Sequence, residues 1–326
     1  MGPTIAYSPD KERNKTRSLY RYFPKLAVFA YFVVKIDEVN KIYHFLNTRW
    51  AMAANDYARL LMTVMPALKN GQIDTVARYL EAKQMVVYAT TPYLADRYEL
   101  DDATLPDGSV AVICLDGPLF SWETLNLERR LQQAADNSKI VGVVLWINGP
   151  GGMISRVDVV ADMITNYPKP IATYVAETMA SAHFWIGVSA GRTFVDSRLS
   201  EVGSVGVMIT FQSLKRYFSE QGIDIRAIYP DAADLKNKWF RDIEDNDDET
   251  TIKERLTLDH RIFCEHVAKS LNMDYDPDMA LFRGETFTGT EAVEKGYIDE
   301  IGNLQDAVRW VVATATAKET NKIIDF

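Results

Sequence analysis

Four short apolar runs, each bounded by turn residues, constrain this chain more than any other feature. They read SVAVICLDG (109–117), IVGVVLWING (140–149), KPIATYVA (169–176) and IDIRAIYP (223–230). A strand with one wet face alternates apolar and polar residues. A run that stays apolar belongs to a strand covered on both faces, as in a parallel sheet. The intervening stretches, 123–135, 153–166, 181–190 and 212–221, carry helical patterns. The expected class is therefore α/β, with a mostly parallel sheet. Ligands of such sheets sit beyond the carboxyl ends of the strands, so strand-to-helix junctions are where chemistry is to be sought.

The flanks add a second region. A chain of 326 residues suits a core of about 200 residues with an added segment. We place an N-terminal extension at 1–100 and the core at 101–326. The first 24 residues are polar, and WAMAANDYARLLMTVMPALKNG, within 46–90, has apolar residues three and four apart and ends at Asn70-Gly71, as a helix would. Residues 92–108, with Pro92, Pro106 and Gly108, read as a linker. The run KLAVFAYFVVK has nine apolar residues, Leu26 to Val34, against about 20 for a membrane-spanning helix, so no transmembrane anchor is expected. Downstream, RDIEDNDDET (241–250) has six acidic residues in ten and reads as a solvated loop. A long helix is expected at 251–271, then a Thr288–Glu291 capping box with Gly296 as the helix stop.

Composition excludes some function classes. A net charge of -9 without a basic stripe argues against nucleic acid. Cys114 and Cys264 stand far apart in apolar runs, which implies two buried thiols and a reducing compartment. His44, His183, His260 and His266 form no metal-ligand spacing, and no cofactor is expected.

Three junctions could carry chemistry. INGPGG (147–152) ends a strand and opens a helix; Pro150 fixes the chain direction, and Gly151 and Gly152 allow close backbone approach. Two such amides can hold an oxyanion. Ser181, in MASAHFWIG, begins a helix after the next strand. It reads either as an N-cap or as a nucleophile brought to that oxyanion site. GSVGV (203–207) reads by itself as a turn into a buried strand.

In this order, GPGG (149–152), KP (169–170), ASAHFWIG (180–187), GSVGV (203–207) and TGTEAVEKGYIDEIG (288–302) resemble the signal peptide peptidase A family of serine peptidases. The resemblance runs from about 109 to 315, and it implies the ββα-repeat core of the Clp and crotonase superfamily, with no cofactor. It also implies that Ser181 is the nucleophile, that Gly151 and Gly152 supply the oxyanion hole, and that Ser204 orients a lysine base. Counted without a gap, the base position falls on Asp234; Lys236 lies two residues on and Lys238 two beyond that. Lys236 is the expected base, with Lys238 the alternative. Such a lysine must be held neutral by burial. His183 replaces a family glycine and is expected to be a wall or subsite residue.

The implied activity is cleavage of protein or peptide substrates by a homo-oligomer. The N-terminal helical pattern resembles soluble phage and prophage members that mature capsid and scaffold proteins, which places the chain in the cytoplasm or an assembling virion. Degradation of signal peptides fits less well without an anchor. A catalytically inactive scaffold of the same fold is the other alternative, because of the lysine offset. A Clp-type Ser-His-Asp triad would need a histidine near Gly206, where there is none. A crotonase-type acyl-CoA enzyme would use carboxylates instead.

Overall fold

The computed structural model describes residues 50–52, 62, 64, 66, 85–91, 97–211, 213, 215–220, 222 and 226–324. The polar first 24 residues, the apolar run 26–34 and most of the helix expected within 46–90 lie outside the described residues. The chain divides into two units, Met1–Thr48 with Leu60–Glu81, and Arg49–Arg59 with Ala82–Phe326. The elements below all belong to the second.

The first half alternates strand and helix: β1 (Trp50–Met52), β2 (Val87–Thr90), β3 (Ser109–Asp116), α1 (Ser121–Asp136), β4 (Ile140–Gly149), β5 (Gly151–Met153), α2 (Val157–Thr165), β6 (Ile171–Ala180) and α3 (Ala182–Val188). Then come β7 (Thr193–Val195), β8 (Glu201–Gly203), α4 (Lys215–Glu220), α5 (Lys238–Asn246) and α6 (Thr250–Ser270). β9 (Thr286–Thr288), α7 (Gly289–Glu294), β10 (Glu300–Ile301) and α8 (Leu304–Ile324) complete the unit. The main sheet has the order β10-β7-β6-β4-β3-β2, parallel throughout except for β2 against β3. β8 pairs in parallel with the carboxyl end of β6, and β9 runs antiparallel to β8.

The apolar runs are strands because both of their faces are covered. Along β3, Ala111, Ile113 and Leu115 point into one core and Val110 and Val112 into the other. β4 does the same with Val143, Leu145 and Ile147 against Val144. Leu127 and Leu131 of α1 and Val157, Val160 and Ile164 of α2 cover the first face; Ala307, Val308 and Val311 of α8 cover the second. α3 lies wholly inside the first core, where Trp185 stacks on Phe263 of α6 at 4.5 Å.

Several sequence expectations are corrected. Trp50–Met52 and Val87–Thr90 are strands rather than parts of a helix, since each finds a partner strand far away in sequence. Residues 97–105 are packed rather than a free linker: Tyr98 bridges Ala89, and Leu105 is 2% exposed. Of the run 223–230, residues 226–230 form no strand, and Ile228 is 90% exposed because no sheet edge receives it. The acidic stretch expected as a loop is helical through Asn246, with Lys238 and Asp242 paired one turn apart. Cys114 is half-buried, whereas Cys264 is buried. The long helix at 250–270 and the Thr288–Glu291 capping box form as expected.

Candidate active site

Ser181 sits where β6 ends and α3 begins, with φ 56° and ψ -118°. A non-glycine residue at positive φ is strained, and such strain persists where the surroundings over-determine it. Here the backbone is pinned by the Ser181 N–H, which donates to the Gly203 carbonyl at 2.8 Å. The side chain makes no capping bond to the helix, so the N-cap alternative does not hold. Its Oγ instead donates to the Gly206 carbonyl at 3.3 Å, and the residue is 1% exposed. GSVGV is thus folded directly against the serine.

The glycine turn is built on two close approaches. Leu119 runs beside β5, its N–H donating to Gly151 C=O at 2.9 Å and its C=O accepting from Met153 N–H at 2.7 Å. A Cβ on Gly152 would stand 1.9 Å from the Leu119 oxygen, so only glycine allows this pairing. On the other flank, the amide of Gly151 donates to Nδ1 of His183 at 3.0 Å. A Cβ on Gly149 would meet Cε1 of that imidazole at 2.5 Å. His183 is 1% exposed, and burial pushes its pKa down to about 4. The ring is therefore neutral near pH 7, and its acceptor role at Nδ1 assigns the proton to Nε2.

His183 was expected to be a wall residue, and its bond to the turn could be found only in the folded chain. The sequence offered one signal, an imidazole in place of a small residue on an otherwise apolar helix. Of the two glycine amides expected at the oxyanion hole, that of Gly151 is engaged by His183. Peptide groups alternate in direction along a strand, so Gly152 N–H points away from Leu119, to the opposite edge of β5.

The remaining expected residues are not brought to Ser181 by side-chain bonds. Ser204, at φ 54°, is held by its N–H donating to Glu285 C=O at 2.9 Å. Lys236 is exposed just after a short 3₁₀ turn, Asp231–Ala233. Lys238 opens α5 and pairs with Asp242. The hydrogen bonds from Lys238 and Thr251 hold the Asp242 carboxyl below the usual carboxylate range. Among the described residues, neither lysine bonds to Ser181 Oγ.

Cysteine nucleophiles are not in play, because burial pushes the Cys114 thiol up to about 11 and Cys264 up to about 12. A cavity of about 680 Å³ lies between Met85–Val87, Glu99–Asp101 and α1, and none of the site groups lines it. A smaller one of about 90 Å³ reaches His183, with Cys114, Asp116 and Glu123 on its other walls.

A strained serine at a strand-to-helix junction thus lies beside a glycine turn at the carboxyl edge of a mostly parallel sheet. The chain matches the family model for Peptidase family S49 over residues 164–318. Over 187 residues it is 30% identical to the head-tail preconnector protein GP5 of Enterobacteria phage P21, covering 57% of this chain and 36% of that protein. It is 27% identical over 185 residues to the capsid assembly protease C of Escherichia phage lambda, covering 55% and 40%. It is 25% identical over 279 residues to a putative signal peptide peptidase SppA of Enterococcus faecium, covering 80% and 79%. The chain thus spans well under half the length of the two phage relatives. Among the described residues, no helix is long and apolar enough to cross a membrane.

Proposed function

We propose that this chain is a cofactor-free serine endopeptidase in which Ser181 attacks the substrate carbonyl and forms an acyl-enzyme. The observation that carries this reading is the strained, non-capping serine whose hydroxyl has only the Gly206 carbonyl for a partner among the described residues. The oxyanion forms against the Gly152 amide and the amide of Ala182, which follows the serine and has no acceptor within its own helix. Gly151 acts one step back: its bond to the neutral His183 fixes the turn, so that Gly152 N–H is aimed before substrate arrives. His183 is a positioning residue, not a base.

Lys236 is the proposed base, with Lys238 the alternative, and Ser204 is proposed to orient it. The exposed position of Lys236 means that its segment must close over Ser181, where desolvation would favour the neutral amine. The name of the lambda relative, a capsid assembly protease, supports a protein substrate during capsid assembly, and we propose that a homo-oligomer cleaves it inside an assembling virion or the cytoplasm. The SppA relative keeps signal-peptide cleavage as the narrower alternative.

A second reading, a non-catalytic scaffold of the same fold, is favoured by the absence of either lysine from the Ser181 hydroxyl. A serine-reactive fluorophosphonate separates the two. Labelling of the wild type that is lost in Ser181→Ala supports the peptidase. A folded wild type that never labels supports the scaffold.

A further inference from the structure

The acceptor edge of β5 is already occupied by the chain itself. β1 lies antiparallel to it, with Trp50 opposite Met153, Ala51 opposite Gly152 and Met52 opposite Gly151. Gly151 C=O and Met153 N–H are turned towards Leu119. Strand alternation therefore turns the N–H and C=O of Gly152 towards Ala51. The Gly152 amide is the donor assigned above to the oxyanion. Met52 is 4% exposed, so the strand is seated rather than laid on the surface. β1 and β5 form a two-stranded sheet apart from the main one, only three residues long. Isolated ribbons of this size are marginal, so exchange for another strand is cheap.

We propose that Trp50–Met52 is a covering strand that occupies the peptide-accepting edge in cis, and that a substrate enters by displacing it and adding its own extended segment in the same antiparallel register. The inference rests on the reading of Ser181 as nucleophile. It makes Trp50–Met52 a brake on the site, released by a peptide strand that competes for Gly152.

Two measurements on the full-length chain test this: the rate of fluorophosphonate labelling at Ser181, and hydrogen exchange of the Gly151–Met153 amides. Ala51→Pro removes the N–H that faces the Gly152 carbonyl, and Met52→Lys unseats the strand by a different route. Both variants should label roughly fivefold faster or more, because the competent fraction rises, and both should lose exchange protection at Gly152. Measurable labelling at an unchanged rate in two folded variants overturns the inference. If neither wild type nor variants label, yet Gly152 protection still falls, the covering strand stands and the nucleophile reading is what fails.

Discussion

The amide of Gly151 and Nδ1 of His183 meet at 3.0 Å, though 32 residues separate them in the chain. This contact joins the glycine turn after β4 to the helix that follows the nucleophile, so the two halves of the site move as one body. It also leaves Gly152 as the turn amide that faces β1.

Removing the acceptor should therefore hurt catalysis more than binding. His183→Phe is expected to lower kcat by about 10- to 100-fold, since a misplaced oxyanion donor costs up to about 100-fold, with a smaller change in KM. His183→Gln, whose amide oxygen can accept the same bond, should recover part of the loss. Steady-state kinetics on a peptide substrate would show it; equal losses in both variants would point to packing instead.

The same histidine makes stability depend on acid. Its pKa is about 4 in the fold against 6.5 for a free side chain. Between these values the unfolded chain binds a proton that the native chain does not, so stability falls as pH drops from about 6.5 to about 4. The contribution, full above pH 6.5, is about 3 kcal/mol. Urea titrations across this window should show a steeper decline for wild type than for His183→Gln.

Gly149→Ala should destabilise by about 2 kcal/mol or more, since overpacking a closed core forces backbone shifts. The new methyl would press on both the imidazole and the Gly117 carbonyl, each at 2.5 Å. Combining it with His183→Ala should relieve only part of that cost, which a double-mutant cycle measures.

Ser181 combines a strained backbone with its proposed role as nucleophile. Ser181→Gly and Ser181→Ala should both abolish fluorophosphonate labelling. Only the glycine variant relieves the positive φ, and it should gain about 1 kcal/mol in thermal or denaturant unfolding. Retained labelling in either variant would remove Ser181 from the mechanism.

The base is decided by comparing two lysines. Lys236→Ala should abolish turnover while the fold persists, and Lys238→Ala should keep most of it. The reverse pattern would transfer the role to Lys238.

Much of this architecture was legible in the chain. The runs at 109–117, 140–149 and 169–176 read as buried strands, because their continuous apolar stretches leave no wholly polar face for water. The order of the glycine turn, serine and GSVGV marked the sheet edge where they meet. Capping at Thr288–Glu291 was equally local, since three residues suffice to write it. Local pattern misled where a partner strand, rather than the segment itself, set the conformation. Trp50–Met52 has helical spacing but pairs with β5, and 226–230 is apolar without a sheet edge to receive it.

The sequence by itself determined the fold class and marked the glycine turn, because hydrophobic period and glycine placement act over a few residues. Only the tertiary structure decided that His183 takes the Gly151 amide and leaves the Gly152 amide to face β1. That choice depends on His183 and Leu119 approaching from distant parts of the chain, and on a covering strand whose hydrogen bonds no local pattern encodes.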